Sequence, residues 1–321
     1  MAKRKLTQQQ SRRIESRHNA RTSKLSGDEI AGTIIGQGGH LLDVETATEV
    51  RNCARRKNLG AVVTGDRVLL DETIPGEFVI AAVMPRDSLL ARPDSRGQLK
   101  AIAANIDRIF IIAAIKPELN EGMIDRYLVS AETLGITPVI VLNKIDLLEN
   151  SQLTSYRERL TLYAQLGYDI VETSAKQQHG MDTLMPALQG HTSIFVGQSG
   201  VGKSSLVNML LPEVNAKTAE ISTSTNKGTH TTSASRLYHL PGGGDLIDSP
   251  GVREFGLWEI GADEVFNGFV EFRNYIGHCK FNDCKHQSEP GCAIHAAIES
   301  GEVSQQRFDS YRRIIESLEA E

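Results

Sequence analysis

The chain has 321 residues, 40% of them hydrophobic and 23% charged, and a net charge of −5. That length has room for two or three domains, and the composition is normal for a soluble protein rather than a disordered or collagen-like one. No stretch approaches the ~20 apolar residues that span a bilayer, and the basic start lacks the apolar segment of a secretory leader, so a cytoplasmic protein with no membrane partner is expected.

The net charge hides an asymmetry. Residues 1–24 carry eight Lys or Arg against Glu15 alone, a charge of +7 that leaves −12 on the remainder. A Gln-rich basic arm of this kind, residues 1–27, reads as disordered by itself and attracted to nucleic acid. The blander reading is a solubilising tail, although an acidic body has no need of cations to stay in solution.

Residues 28–98 change to short alternating runs. Glu29 to Ile35, His40 to Val44, Ala61 to Asp71 and Glu77 to Met84 are separated by Gly36-Gln37-Gly38-Gly39 and Pro75-Gly76, and Thr64-Gly65-Asp66 splits the longest run in two. Five strands with little helix suit an OB-fold barrel. Arg51, Arg55, Arg56, Lys57 and Arg67 would supply an oligonucleotide-binding face. Cys53 reads as a small buried residue, and Arg92 to Gly97 as the linker onward.

Residues 99–258 carry the chemistry. Pro138 to Leu142 is an apolar run suited to a buried strand, and Asn143-Lys144-Ile145-Asp146 stands where such a strand meets ligand in an open α/β sheet. Asp146 can accept from guanine N1–H and the 2-amino group together. Adenine lacks that amino group and has a bare N1, so the carboxylate would face a lone pair. Lys144 would lie along the base. The tetrapeptide alone is an ordinary turn, but Ser174-Ala175-Lys176, after the run Tyr168 to Glu172, strengthens it. The Ala175 N–H suits guanine O6, and Ser174 would steady Asp146.

The run His191 to Val196 leads into Gly197-Gln198-Ser199-Gly200-Val201-Gly202-Lys203-Ser204, followed by Ser205 and a helical stretch to Leu211. This is a complete phosphate-binding loop. Its glycines let the backbone N–H groups face phosphate oxygens at a helix start, Lys203 would reach the β and γ phosphates, and Ser204 would offer its hydroxyl to Mg²⁺. A guanine motif ahead of the phosphate loop reverses the usual order, which marks a circularly permuted GTPase.

Gly228-Thr229-His230-Thr231-Thr232 lies in a stretch rich in Ser, Thr and Asn, the composition of a mobile switch loop. One of its threonines would complete the Mg²⁺ shell; Thr232 is favoured over Thr231, and spacing alone does not choose. Arg236 to Leu240 and Asp245 to Ile247 read as a hairpin leading to Asp248-Ser249-Pro250-Gly251, where Asp248 would hold Mg²⁺ through water and the Gly251 N–H would meet the γ phosphate. Val252 then stands where small GTPases carry a water-orienting Gln. Either hydrolysis waits for a partner or another group substitutes. His230 is the internal candidate for the catalytic role, against the plainer reading of a solvated loop histidine.

Residues 259–321 hold Cys279, Cys284, His286 and Cys292 in a Cys-x4-Cys-x-His-x5-Cys pattern, which in a cytosolic chain reads as a closed tetrahedral zinc site. A redox cluster, or a swap with His278 or His295, are the alternatives. Charged helical residues from Ser304 onward follow. The expected fold class is therefore α/β: a circularly permuted P-loop GTPase domain with an N-terminal all-β OB-fold barrel and a C-terminal α-helical zinc-binding domain. Nothing demands a dimer, and a monomer is expected.

The order of barrel, permuted guanine motifs and zinc pattern resembles the ribosome small subunit-dependent GTPase A family over nearly the whole chain. The phosphate loop at 197–205, Asp-Ser-Pro-Gly-Val-Arg-Glu-Phe-Gly at 248–256 and Cys-Lys-Phe-Asn-Asp-Cys-Lys-His at 279–286 carry that resemblance. It implies a late assembly factor of the bacterial 30S ribosomal subunit that binds GTP and GDP, contacts 16S rRNA and hydrolyses GTP faster on the small subunit. It also implies that Cys279, Cys284, His286 and Cys292 bind zinc and that His230 replaces the missing Gln. The residues alone reach a permuted GTPase with RNA-binding appendages, and an RNA-binding scaffold that hydrolyses GTP negligibly is the competing reading.

Overall fold

Alternation of apolar and polar residues builds the first unit. In the computed structural model, β1 (Ile30–Gly38), β2 (Leu41–Thr46), β3 (Val50–Arg55), β4 (Arg67–Ile74) and β5 (Glu77–Val83) close into a barrel of order β1-β2-β3-β5-β4. Residues 30–38, 40–57, 59–93, 98–212, 235–249 and 260–319 are described. The basic arm, His230, Thr231, Thr232, Gly251 and Val252 lie outside them. Inward-facing Ile34, Leu42, Val44, Cys53, Val68, Leu70 and Ile80 fill the barrel. β3 pairs parallel with β5 and β1 antiparallel with β4, the closure of a five-stranded Greek-key barrel.

The count of five strands agrees with the sequence reading, but the membership does not. Residues 61–66 form no strand beyond an isolated bridge at Thr64, and the missing strand is β3. Only Cys53 of β3 is buried, so its apolar signal is one residue long. The expected linker is also partly structured: β6 (Leu89–Pro93) and β7 (Leu99–Ala104) pair as an antiparallel hairpin.

A six-stranded sheet follows, ordered β10-β9-β8-β11-β13-β12. Its strands are β8 (Arg108–Ala114), β9 (Thr137–Asn143), β10 (Asp169–Thr173), β11 (Thr192–Val196), β12 (Arg236–His239) and β13 (Asp245–Asp248), and β12 alone runs antiparallel to its neighbour. The central strands β8, β9 and β11 are almost wholly buried, as near-continuous apolar runs in a sheet covered on both faces must be. Helices α1 (Glu121–Leu134), α2 (Asn150–Gln165), α3 (Met181–Leu188) and α4 (Lys203–Leu210) follow β8, β9, β10 and β11. The α1 start is capped by the Asn120 side chain, which accepts from the Met123 N–H at 3.1 Å, and its end by Gly135 in the left-handed region.

The C-terminal unit consists of α5 (Ala262–Gly268), a 3-10 turn at Val270–Tyr275, α6 (Ala293–Glu299) and α7 (Gln305–Glu319). Phe266, Phe269, Phe272, Phe308 and Tyr311 form its core, joined by Val129 from α1. α5 and α1 touch at Gly268, where a Cβ would sit 2.6 Å from Val129 Cγ1, so that approach requires glycine. Beside this contact Arg307 is wholly buried. Its guanidinium reaches Asp125 at 2.5 Å and Glu271 at 2.7 Å, and stacks over Phe269 at 4.4 Å. Tyr163 completes the group by donating to Asp125 at 2.8 Å.

Candidate functional site

Parallel pairing reunites what the chain order separates. Asn143 ends β9, Ser174 follows β10, Gly197 follows β11 and Asp248 ends β13, so all four motifs emerge at the carboxyl edge of one sheet. Ligands bind at that edge in open α/β sheets.

The phosphate loop joins β11 to α4. Gly197, Gly200 and Gly202 all have positive φ, and at Gly202 a Cβ would lie 2.4 Å from the Asn143 amide nitrogen. Lys203 folds back over the loop and donates to the carbonyls of Gly197 at 2.6 Å and Gln198 at 2.7 Å. Val201 packs inward, whereas Ser199, Ser204 and Ser205 are exposed at the loop and the first turn of α4.

The guanine motif is braced against that loop. Asn143 is buried; its Nδ2 donates to the Val201 carbonyl at 2.9 Å while its Oδ1 accepts from Thr173 Oγ1 at 3.1 Å. Thr173 thereby sets which way the amide points. Lys144, at φ 65°, sends its ammonium to the carbonyls of Gly200 at 2.5 Å and Lys116 at 2.7 Å. Ser174 donates to Asp146 Oδ1 at 2.6 Å, and its own Oγ accepts the Gln177 N–H at 3.1 Å. A cavity of about 350 Å³ opens here, lined among others by Lys144, Asp146, Leu147, Ala175, Lys176 and Ser205. Thr173 and Lys116 escaped the sequence reading. The first adjoins a motif without belonging to it, and the second acts through its backbone.

Asp248 is exposed at the end of β13 and pairs in register with Arg236 of β12. The next residue, Ser249, accepts a 2.6 Å hydrogen bond from Ser235. On the barrel, the expected basic face is partly neutralised internally. Arg51 pairs with Glu49 at 2.5 Å and lies 3.7 Å over the Phe78 ring, Arg56 pairs with Asp71, and Arg67 with Asp87 at 2.5 Å. Arg55 donates to the Gly60 carbonyl at 2.8 Å, and Lys57 is exposed.

The second centre lies in the C-terminal unit. The donor atoms of Cys279, Cys284, His286 and Cys292 all fall within 4.8 Å of one another. His286 Nδ1 stands 3.6, 3.7 and 3.4 Å from the sulfurs of Cys279, Cys284 and Cys292. Those distances match the ~3.6 Å that usual Zn–S and Zn–N lengths give between a nitrogen and a sulfur donor of a tetrahedral site. Burial pushes the Cys284 thiol up to about 12 and raises Cys292, while it lowers His286 and keeps the imidazole neutral as a metal requires. His295 is not in the cluster; its Nε2 bonds the Gln287 carbonyl at 2.9 Å. The loop around His286 is tied down by Glu289, whose carboxylate accepts N–H bonds from Lys285, Gln287 and Ser288. Those bonds, Lys285 first, hold its pKa down at about 2. The donor set is consistent with a zinc site.

A parallel sheet with the phosphate loop on an inner strand and the guanine-reading loops upstream of it in the chain defines a circularly permuted P-loop GTPase. The family model described as RsgA GTPase matches residues 83–258. The chain is 49% identical over 334 residues to a Small ribosomal subunit biogenesis GTPase RsgA of Pseudomonas aeruginosa, covering 99% of this chain and 98% of that protein. It is 48% identical over 335 residues to one from Haemophilus influenzae, covering 99% and 96%. Among solved structures, YjeQ from Thermotoga maritima superposes with a TM-score of 0.76 at 31% identity, covering 91% of this chain and 99% of that one. YloQ, described as a circularly permuted GTPase, gives 0.73 at 28% identity, covering 92% and 97%. The chain belongs to the RsgA GTPase family and is a GTP hydrolase.

Proposed function

We propose that this GTPase serves biogenesis of the small ribosomal subunit, binding the 30S subunit and its 16S rRNA as a monomer. The observation that carries the proposal is full-length identity near one half with proteins named for that role, spanning barrel, GTPase sheet and cysteine cluster together. Functionally we divide the chain into the arm 1–27, an RNA-binding barrel 28–98, the GTPase 99–258 and a zinc-binding domain 259–321. The cytoplasm is the corresponding location. No helix among the described residues is long and apolar enough to cross a membrane.

In this reading residues 197–205 bind the phosphates, with Lys203 on the β and γ groups, while Asp146 reads guanine N1–H and the 2-amino group. Lys144 and Lys176 flank the base, and the Ala175 N–H meets O6. Ser204, with Thr232 or its neighbour Thr231, would hold Mg²⁺, and Asp248 would reach it through water. Bound there, the cation would neutralise charge developing between the β and γ phosphates. The Gly251 N–H would meet the γ phosphate, and His230 would accept a hydrogen bond from the attacking water. Cys279, Cys284, His286 and Cys292 hold one structural zinc, which leaves no open position for catalysis.

GTP turnover measured alone, with 30S and with 50S subunits, against ATP as competing substrate, tests the proposal. A GTP-selective rise with 30S alone is expected. No rise with either subunit would favour the scaffold reading, for which the Val252 position is the specific observation.

A further inference from the structure

A barrel residue reaches the catalytic edge of the sheet. Thr64 precedes β4, is 5% exposed, and donates through Oγ1 to the Ser235 carbonyl at 3.0 Å. Ser235 immediately precedes β12 and follows the segment that contains His230. Its own hydroxyl donates to Ser249 Oγ at 2.6 Å, and Ser249 directly follows Asp248. One hydroxyl of the barrel thus holds the point where two phosphate-motif segments meet.

The anchor behind it is firm. The Thr64 carbonyl accepts from the Ala104 N–H at 3.0 Å, and the neighbouring Gly65 carbonyl accepts from Asn105 Nδ2 at 2.8 Å. Barrel residue Ile35 shares a core with Leu237 of β12 and Ile247 of β13. At the other end of the same hairpin, His239 bridges Glu45 of β2 at 2.8 Å and Asp245 at 2.6 Å. The hairpin that ends in Asp248 is therefore gripped by the barrel along its length.

We propose that Thr64 is a positioning residue for GTP hydrolysis, acting through Ser235 and Ser249 on the end of β13 that carries Asp248. What the barrel binds then bears on turnover through this contact. The inference rests on the role given above to Asp248. Removing the hydroxyl leaves the Ser235 carbonyl, in a part-buried contact, without this donor, and a shift of the hairpin end by a fraction of an ångström is enough to slow an aligned reaction. The base and the phosphate-loop contacts come from residues 143–146, 174–176 and 197–205, which this contact does not touch, so affinity is expected to change less than rate.

The test compares Thr64→Val, which keeps the branched shape, with Thr64→Ser, which restores the donor, in the full zinc-loaded chain. Single-turnover hydrolysis and binding of a fluorescent GTP analogue are measured without and with 30S subunits. Thr64→Val is expected to slow hydrolysis about fivefold or more with affinity changed by less than about twofold, and Thr64→Ser to recover most of the rate. Ser249→Ala should give a similar loss, and the double variant should lose little more than either alone. Hydrolysis by Thr64→Val within about twofold of wild type, or an affinity loss equal to the rate loss, overturns the proposal. If Thr64→Val does not fold, a wild-type rate in Ser249→Ala overturns it equally. Absence of 30S stimulation in the wild type would count against the ribosomal reading alone, because the unstimulated comparison still judges Thr64.

Discussion

Arg307 and Asp125, both buried, form a 2.5 Å ion pair that joins helix α7 of the C-terminal unit to helix α1 of the GTPase sheet. Glu271 accepts from the same guanidinium and Tyr163 donates to Asp125, so four elements share one charge network. Desolvation works against the buried guanidinium, yet Asp125 and Glu271 outweigh it and raise the Arg307 pKa above its usual value. The pair fastens the cysteine-bearing unit to the β8–β9 half of the sheet, while the barrel grips the β12–β13 half.

Truncating one partner strands the other. Arg307→Ala leaves Asp125 and Glu271 facing each other without a cation, and breaking such a pair costs about 3–5 kcal/mol. Thermal and urea denaturation should show a loss of that size. Arg307→Met with Asp125→Asn and Glu271→Gln should recover much of it.

In the proposed assignment Asp146 decides the base. Asp146→Asn should weaken GTP and improve xanthosine triphosphate, because an amide can donate to the 2-oxo group where a carboxylate repels it. Competition binding with the two nucleotides checks this. Retained GTP preference would mean the base sits elsewhere.

His230 is expected to act on water rather than on nucleotide. His230→Ala should lower turnover by at least about tenfold and leave GTP affinity nearly intact. Unchanged turnover would remove His230 from the mechanism.

The His239 bridge should respond to pH. Burial works against its charged form, but hydrogen bonds to Asp245 and Glu45 prevail and raise its pKa above the ordinary histidine value. A raised folded pKa gives a contribution fully present below the unfolded value near 6.5 and lost as pH rises through the folded one. Hydrogen exchange of the β12–β13 amides should therefore quicken across that window beyond the intrinsic pH effect. His239→Gln should flatten the response.

Zinc retention should weaken in acid. Desolvation raises the thiols of Cys284, up to about 12, and Cys292, so a metal must displace their protons and occupancy rises with pH. Zinc content after dialysis against a chelator should fall more at pH 5.5 than at pH 8. Cys284→Ser should lose the metal at both and lower the melting temperature of the C-terminal unit.

Local chemistry was legible from residue types at fixed spacing. The phosphate loop, Asn143 to Asp146, Ser174 to Lys176 and the cysteine cluster could be read because each needs particular residues a few positions apart, and the parallel sheet then set the nucleotide loops at one edge. The permuted order was visible for the same reason. β3 was not, because a strand whose only buried side chain is Cys53, with Arg51, Asn52 and Arg55 among the rest, carries no alternating apolar signal.

What only tertiary structure decided are partnerships across long stretches of chain. Thr64 meets Ser235 across 171 positions, and Arg307 meets Asp125 across 182. A threonine in a turn or an arginine on a charged helix looks the same in sequence whether it faces water or a buried carbonyl. Its partner is chosen by the packing of elements, which no local spacing encodes.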